Sequence, residues 1–121
     1  EYDLKKASNV YFKKDLKSLV SIVEGKPIQW AFYINSENKI SSFVRKKSFL
    51  GSEFEKNKVY YPNGAIYFSD TELFIENNSF ISKSTYGFIM ETTSSIDIDT
   101  LEDFKIAELI LESKIQREQN V

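Results

Sequence analysis

Two aspartates near the end of the chain, Asp97 and Asp99, have the residue type and spacing that most directly suggest chemistry. They alternate with Ile96 and Ile98, so an extended segment would turn both isoleucines toward a core and both carboxylates to the other side. Side chains two residues apart on a strand lie about 6.5–7 Å apart, close enough to bind one divalent cation directly or through its waters. Mg²⁺ typically takes one or two carboxylates and completes its octahedron with waters and phosphate oxygens. The pattern therefore predicts a short strand that carries a Mg²⁺ site for phosphate chemistry.

The same stretch also permits a purely structural interpretation. Thr100 followed three residues later by Asp103 is typical of a capping box at a helix start. Asp99 would interact favourably with the positive end of that helix. An EF-hand is excluded, because a loop numbered from Asp97 has Glu102 in place of the required glycine. Spacing alone leaves metal binding and helix capping both open.

Composition narrows the chemistry further. The 121 residues include no histidine, which removes the commonest general base and zinc ligand, and no cysteine, which removes disulfides and thiolate sites. This composition permits a reducing compartment, and we expect a cytoplasmic protein. Sixteen basic and eighteen acidic residues are mixed along the chain, so its charge does not indicate a nucleic-acid partner. No apolar run approaches the ~20 residues of a membrane span, so no membrane association is expected.

Two segments of the sequence occur in a specific order. The first is YPNGAIY at residues 61–67, and the second is SIDIDT at residues 95–100, which continues to Asp103-Phe104 and Ala107-Glu108. Together they resemble the acylneuraminate cytidylyltransferase family, the CMP-sialic acid synthetases. The resemblance implies an enzyme that transfers CMP from CTP to an acidic nine-carbon 2-keto acid sugar and releases pyrophosphate.

The resemblance also implies roles for individual residues. Asp97 and Asp99 would be the catalytic pair that holds Mg²⁺. The residues beside the sugar would be Asn63, Ala65, Tyr67 and Phe80. Without the resemblance, Asn-Gly at 63–64 is a tight-turn signal and Tyr67 is a half-buried strand aromatic.

The fold expected from these patterns is α/β, namely a partial Rossmann-like nucleotidyltransferase sheet with a projecting β-hairpin excursion used for dimerisation. The hairpin excursion spans 27–60, and the resemblance implies a homodimer. Helices are predicted at 3–17, 72–77 (capped by Ser69 or Asp70) and 101–116, and strands at 18–24, 28–34, 40–44, 65–68, 86–90 and 96–99. The last helix is expected to pack on the sheet through Leu101, Phe104, Ala107, Leu111 and Ile115.

We expect residues 1–121 to form a single domain that is the C-terminal half of a larger enzyme. Family members carry a preceding half with a glycine- and lysine-containing nucleotide-binding loop, and the four glycines of this sequence form no such cluster. This chain alone is therefore expected to be inactive.

One feature departs from the family pattern. Many members have an Arg-Gln-type pair about ten residues before the Asn-Gly-Ala segment, where this sequence has Glu53-Phe54. The arginine that binds the sugar carboxylate would then be displaced, for example to Arg45, or the sugar would differ. Two alternatives stay open: a non-catalytic sugar-binding or dimerisation module, and a nucleotidyltransferase for another sugar.

Overall fold

The computed structural model describes residues 2–44 and 58–119, which form a mixed α/β structure. Helices are α1 (Tyr2–Lys13), α2 (Thr71–Asn77) and α3 (Leu101–Gln119), and strands are β1 (Ser18–Gly25), β2 (Phe32–Ile34), β3 (Ile40–Ser42), β4 (Val59–Ser69) and β5 (Tyr86–Ile89). Short 3₁₀ turns occur at Ile28–Trp30 and Thr92–Ser94. The chain divides into two compact units, residues 1–23 with 62–121, and residues 24–61. No helix in the described ranges combines the length and apolar character needed to cross a membrane.

The first unit is built on a three-stranded sheet in the order β4-β1-β5. Strand β1 pairs with β5 in parallel, from Leu19 opposite Tyr86 to Ile22 opposite Ile89. The N–H of Asp70 donates to the carbonyl of the residue before β1 at 2.9 Å, so the end of β4 lies beside the start of β1 and the two strands run in opposite directions. The sheet is therefore mixed, and the apolar strand predicted at 18–24 is its centre.

The core of this unit lies where α1 meets the sheet. Its buried members are Ala7, Leu19, Ile66, Phe88 and Met90. Each comes from a different part of the sequence: α1, the three strands, and the residue that follows β5. The core thus depends on contacts between residues far apart in the chain, which fix β4 and β5 on either side of β1.

Helix α1 ends at Lys13, four residues earlier than predicted. Asp15 has a left-handed conformation with φ of 50°. The N–H of Leu16 donates to the carbonyl of Tyr11 at 3.0 Å, and the N–H of Asp15 donates to that of Phe12 at 3.3 Å. These bonds form a Schellman motif, which ends a helix where one residue can adopt positive φ; aspartate tolerates this better than most residues.

In the second unit, β2 and β3 form an antiparallel pair from Phe32 opposite Ser42 to Ile34 opposite Ile40. The side-chain oxygen of Asn35 accepts the N–H groups of the residues two and four positions later, at 3.0 and 2.9 Å, which closes the turn at 35–39. Trp30 lies in a 3₁₀ turn, not in a strand as predicted. Several apolar side chains of this unit are exposed: Trp30, Phe32, Tyr33, Ile34, Ile40 and Phe43. Projection of this unit from the sheet and its role in dimerisation stay predictions.

The expected packing of α3 on the sheet is wrong for most of its predicted apolar stripe. Leu101, Phe104, Leu111 and Ile115 are all exposed, the first by 66%. The described core is covered by α1, and no residue of α3 belongs to it. Ala107, the remaining member of the stripe, is half-buried.

The turn predicted at Asn63-Gly64 is also wrong, because β4 continues through both residues. Gly64 has φ of +76°, which is accessible to glycine, and the strand is irregular there. Nearby, the N–H of Ile66 donates at 2.8 Å to the hydroxyl of Ser21, a fully buried side chain of β1. A side-chain hydroxyl therefore satisfies a buried main-chain donor of β4, which accounts for the polar residue at the centre of an apolar strand.

Replacement of Ser21 by alanine should destabilise the fold, because it leaves the Ile66 N–H buried without this acceptor. We expect the free energy of unfolding, measured by urea denaturation, to fall by about 1–3 kcal/mol. The matched control is Ser41→Ala at an exposed position of β3, which should change little. Equal effects of the two substitutions would contradict the bonding described here.

Candidate functional site

The segment that carries Asp97 and Asp99 joins the 3₁₀ turn at Thr92–Ser94 to α3, and the strand predicted there is wrong. Within the described parts of the chain, no strand hydrogen-bonds to residues 96–98, so the extended alternation has no sheet to join. Ile96 is half-buried, whereas Ile98 is 52% exposed instead of facing a core. Both aspartates are exposed.

The capping box predicted from Thr100 and Asp103 is confirmed. The Asp103 carboxylate accepts the Thr100 hydroxyl at 2.7 Å and the Thr100 N–H at 2.9 Å, while the Asp103 N–H donates to the Thr100 hydroxyl at 3.2 Å. The same carboxylate accepts the N–H of Asp99 at 3.3 Å. The bond from the Thr100 hydroxyl, followed by that from its N–H, lowers the pKa of Asp103. The start of α3 is therefore fixed by a reciprocal cap.

This cap leaves the carboxylates of Asp97 and Asp99 unused. Asp99 contributes its main-chain N–H only, and neither carboxylate has a hydrogen bond or ion pair with any described residue. No group of three or more histidine, cysteine or acidic side chains in the described ranges could hold a metal ion, so these residues do not form a closed metal cage. Two exposed carboxylates fit Mg²⁺, which prefers oxygen ligands and retains several waters.

The start of the acidic segment is anchored by side chains on both sides. The Ser95 hydroxyl accepts the amide NH₂ of Asn63 at 2.8 Å and donates to the Glu91 carbonyl at 2.8 Å. Ile96 lines a groove of about 260 Å³ against α3, formed with Thr93, Ser94, Ala107, Ile110, Leu111 and Lys114. Ile96 is therefore half-buried against α3, and the exposed part of the segment begins at Asp97.

Asn63 is the residue that links this segment to the sheet. Its carbonyl oxygen accepts the Ser21 hydroxyl and, at 3.2 Å, the N–H of Ala65. Its NH₂ group donates to Ser95 and, at 3.4 Å, to the sulfur of Met90. The structure thus joins one predicted sugar residue to the segment that carries the predicted metal residues. The sequence analysis did not identify Ser21 and Ser95 as partners of Asn63. For Ser21 the usable signal was a serine inside an otherwise apolar strand.

Two other predicted sugar residues, Tyr67 and Phe80, are brought together on the surface. Their ring centroids lie 5.4 Å apart, and Phe80 also contacts Phe74 of α2 at 4.6 Å. All three rings are partly exposed, by 36–39%. We call these three residues the aromatic trio. Phe74 was missed from the sequence, although an apolar residue in a short helix just before Phe80 is a usable signal. Ala65 is exposed on β4, two residues before Tyr67.

Asp70 occupies the N-cap position of α2, but its side chain makes no capping bond. Its carboxylate instead binds Lys17 at 2.9 Å and accepts the hydroxyl of Tyr11 at 3.0 Å. Lys17, and next the Tyr11 hydroxyl, lower the pKa of Asp70. This residue therefore ties the loop after β4 to α1 and to the residue before β1 and does not form the side-chain cap that the sequence predicts.

Comparison with known proteins places these observations in a family context. No family model matches the chain. It is 28% identical over 123 residues to N-acylneuraminate cytidylyltransferase of Streptococcus agalactiae serotype V. It is 28% identical over 108 residues to pseudaminic acid cytidylyltransferase of Campylobacter jejuni, and 35% identical over 101 residues to CMP-N,N'-diacetyllegionaminic acid synthase of Legionella pneumophila. This chain is homologous to the acylneuraminate cytidylyltransferases.

The alignments cover most of this chain but less than half of each relative. They include 98%, 88% and 79% of the chain, and 29%, 46% and 42% of the respective proteins. The family resemblance predicted from residues 61–67 and 95–100 is thus confirmed over most of the sequence. The functional residues that the family resemblance implies, Asp97 and Asp99 among them, stay predictions.

The capping box should give the protein a pH-dependent stability. The folded-state pKa of Asp103 lies below its unfolded value of about 3.9. The stabilisation that the Asp103 carboxylate gives through the cap is therefore present above about pH 3.9 and is lost as pH falls through the lowered pKa. We therefore expect the difference in unfolding free energy between wild type and Asp103→Ala to be constant from pH 5 to 7 and to shrink below about pH 4.

The comparison isolates Asp103, because Asp70, whose pKa is also lowered, is present in both proteins. Thr100→Ala should reduce stability by about 1 kcal/mol at neutral pH. A Glu102→Gln control, which leaves the cap intact, should behave like wild type. A pH-independent difference for Asp103→Ala would contradict this account.

Proposed function

We propose that this chain is the C-terminal, sugar- and metal-binding half of an enzyme that transfers CMP from CTP to an acidic nine-carbon 2-keto acid sugar, with release of pyrophosphate. The observation that carries the proposal is the difference in hydrogen bonding among Asp97, Asp99 and Asp103. Asp103 caps α3, and the carboxylates of Asp97 and Asp99 are left exposed and unpaired among the described residues. The names of the relatives, which are cytidylyltransferases or a CMP-sugar synthase, support the same reaction.

In this reaction the anomeric hydroxyl of the sugar attacks the α-phosphorus of CTP and pyrophosphate leaves. Asp97 and Asp99 would hold Mg²⁺, which when bound neutralises phosphate charge and lowers the pKa of a coordinated hydroxyl. Catalysis then consists mainly of positioning and charge neutralisation. The chain has no histidine to act as a base. We also propose, as a separate point, that no side chain of this half acts as the general base.

The aromatic trio is the proposed wall of the sugar site, with Ala65 and Asn63 on the same strand as Tyr67. Partly exposed rings in contact offer an apolar surface for the C–H faces of a sugar and a hydroxyl for its polar edge. Ala65 is small and exposed, which leaves space beside Tyr67. The amide of Asn63 hydrogen-bonds to Ser95, at the start of the acidic segment.

The assembly we propose is a homodimer of a cytoplasmic enzyme with a Rossmann-like nucleotidyltransferase fold. An isolated two-stranded hairpin is marginally stable, and the exposed apolar side chains of β2 and β3 suit burial against another subunit. Arg45 and Glu53, which bear on recognition of the sugar carboxylate, lie outside the described residues. The relatives are named for three different sugars, so sialic, pseudaminic and legionaminic acids are all candidate substrates.

The reaction is tested by pyrophosphate release from CTP by the complete protein that contains this chain, with a panel of acidic nine-carbon sugars and with or without Mg²⁺. We expect Mg²⁺-dependent release with one sugar, and its loss in a folded Asp97→Asn/Asp99→Asn variant. The control is Glu102→Gln, an exposed acid at the start of α3, which should retain activity. No release with any sugar, or full activity of the double variant, would overturn the assignment.

The aromatic trio is tested by Phe74→Ala and Phe80→Ala in the same complete protein. Each should raise the KM for the sugar by about fivefold or more, corresponding to roughly 1 kcal/mol per lost aromatic contact, and leave the KM for CTP unchanged. Ile75→Ala is the matched control, since Ile75 lies beside Phe74 on α2 and is 72% exposed. An equal effect of Ile75→Ala, or a change confined to CTP, would remove the trio from the sugar site.

A further inference from the structure

We infer that Asn63 serves the proposed reaction as a positioning residue, which holds the segment of Asp97 and Asp99 through Ser95 and is not itself a ligand of the sugar. The inference rests on the proposed function, because it assigns Asn63 a purpose within that site. It departs from the role that the sequence resemblance implies, which places Asn63 beside the sugar.

The first argument is the hydrogen-bonding capacity of the Asn63 amide. An asparagine side chain offers two donor hydrogens and a carbonyl oxygen with two lone pairs. The carbonyl accepts from the Ser21 hydroxyl and the Ala65 N–H, and the NH₂ group donates to Ser95 and Met90. All four positions have intramolecular partners. A sugar hydroxyl could bind this amide only by displacing one of them.

The second argument is the rigid position of Ser21, whose hydroxyl binds the carbonyl of the Asn63 amide. Ser21 is fully buried at the centre of the sheet, and its hydroxyl also accepts the N–H of Ile66 at 2.8 Å. Ile66 belongs to the hydrophobic core. The Asn63 carbonyl is therefore fixed to the most enclosed part of the unit, which suits a support better than a contact that must adapt to a ligand.

The third argument is the position in the chain of the residue that accepts the hydrogen bond from the Asn63 NH₂ group. This NH₂ group reaches Ser95, only two residues before Asp97 in the sequence. Two residues of extended chain span about 7 Å, so a free Ser95 would let the first carboxylate move by a distance comparable to the spacing of the pair. The order of contacts from the core to the site is thus Ser21, Asn63, Ser95 and Asp97.

Loss of an outer partner of a metal ligand typically reduces metal affinity or activity by 10- to 100-fold. Here Ser95 acts on Asp97 through the main chain of residues 95–97. We therefore expect the smaller reduction of that range, about tenfold. The effect should fall on kcat and on the concentration of Mg²⁺ or Mn²⁺ needed for half-maximal activity. The KM for the sugar should not change, since the described bonds of the Ser95 hydroxyl are to Asn63 and the Glu91 carbonyl and not to the aromatic trio.

The main test uses Ser95→Ala in the complete protein, because removal of one partly buried hydroxyl leaves the Asn63 side chain and the sheet in place. The matched control is Ser113→Ala, whose hydroxyl donates to the Ile110 carbonyl within α3. Asn63→Ala is compared with both, and circular dichroism establishes that each variant is folded. We expect Ser95→Ala and Asn63→Ala to lower kcat about tenfold, and their double variant to lower it no further than Asn63→Ala alone.

A second measurement is independent of turnover. In protein labelled with ¹⁵N-asparagine, the side-chain NH₂ signals of Asn63, assigned by their loss in Asn63→Ala, should exchange slowly with solvent. Exchange should become faster in Ser95→Ala and stay unchanged in Ser113→Ala. In a separate sample labelled with ¹⁵N-aspartate, added Mn²⁺ should broaden the main-chain amide signals of Asp97 and Asp99 at about tenfold higher concentration in Ser95→Ala than in wild type.

The outcomes separate this inference from the proposed function. If Asp97→Asn/Asp99→Asn abolishes activity but Ser95→Ala behaves like Ser113→Ala, the reaction stands and the positioning role is wrong. A rise in sugar KM in Asn63→Ala, with kcat and metal dependence unchanged, would make Asn63 a sugar ligand. If the double aspartate variant is fully active, the proposed function itself fails.

Discussion

The described fold depends on one buried hydroxyl. Ser21 lies at the centre of an apolar strand and binds both the main chain of β4 and the amide of Asn63. A buried polar group is tolerated only when it is fully hydrogen-bonded, because an unpaired one costs about 1–3 kcal/mol. The requirement works in both directions: the buried N–H of Ile66 uses Ser21 as its acceptor, and Ser21 needs β4 and Asn63 as partners. The irregular part of β4 and the start of the acidic segment are therefore held by the same group.

The four acidic side chains discussed above are chemically alike and serve different purposes because their surroundings differ. The carboxylate of Asp70 binds Lys17 and Tyr11, and the carboxylate of Asp103 forms the cap of α3. In both cases hydrogen bonds to the carboxylate favour its charged form. Asp97 and Asp99 lie only a few residues before the cap, and their carboxylates have no hydrogen bond or ion pair with any described residue. The two interpretations of this stretch, cap and metal site, are thus compatible, since they use different carboxylates.

The sequence predicted local features well where one residue type has one strong preference. Thr100 and Asp103 gave the capping box, and the apolar run at 18–24 gave the central strand. Prediction from the sequence failed where the local structure depends on partners distant in the chain. Alternation at 96–99 predicts a strand only if a neighbouring strand is there to pair with it, and Asn63-Gly64 predicts a turn only if the flanking strand stops. Likewise, the sequence marks Phe74 as an apolar residue shortly before Phe80, but their contact depends on the placement of α2.

The short length of chain between the two anchors of the acidic segment has a thermodynamic consequence. Ser95 is held at one end and Thr100 at the other, so only residues 96–99 separate two fixed points. Ordering one residue of free backbone costs about 1–2 kcal/mol. Much of that entropy is already lost on folding, before any ligand arrives. A ligand that bound these carboxylates would therefore spend little of its interaction energy on ordering the chain.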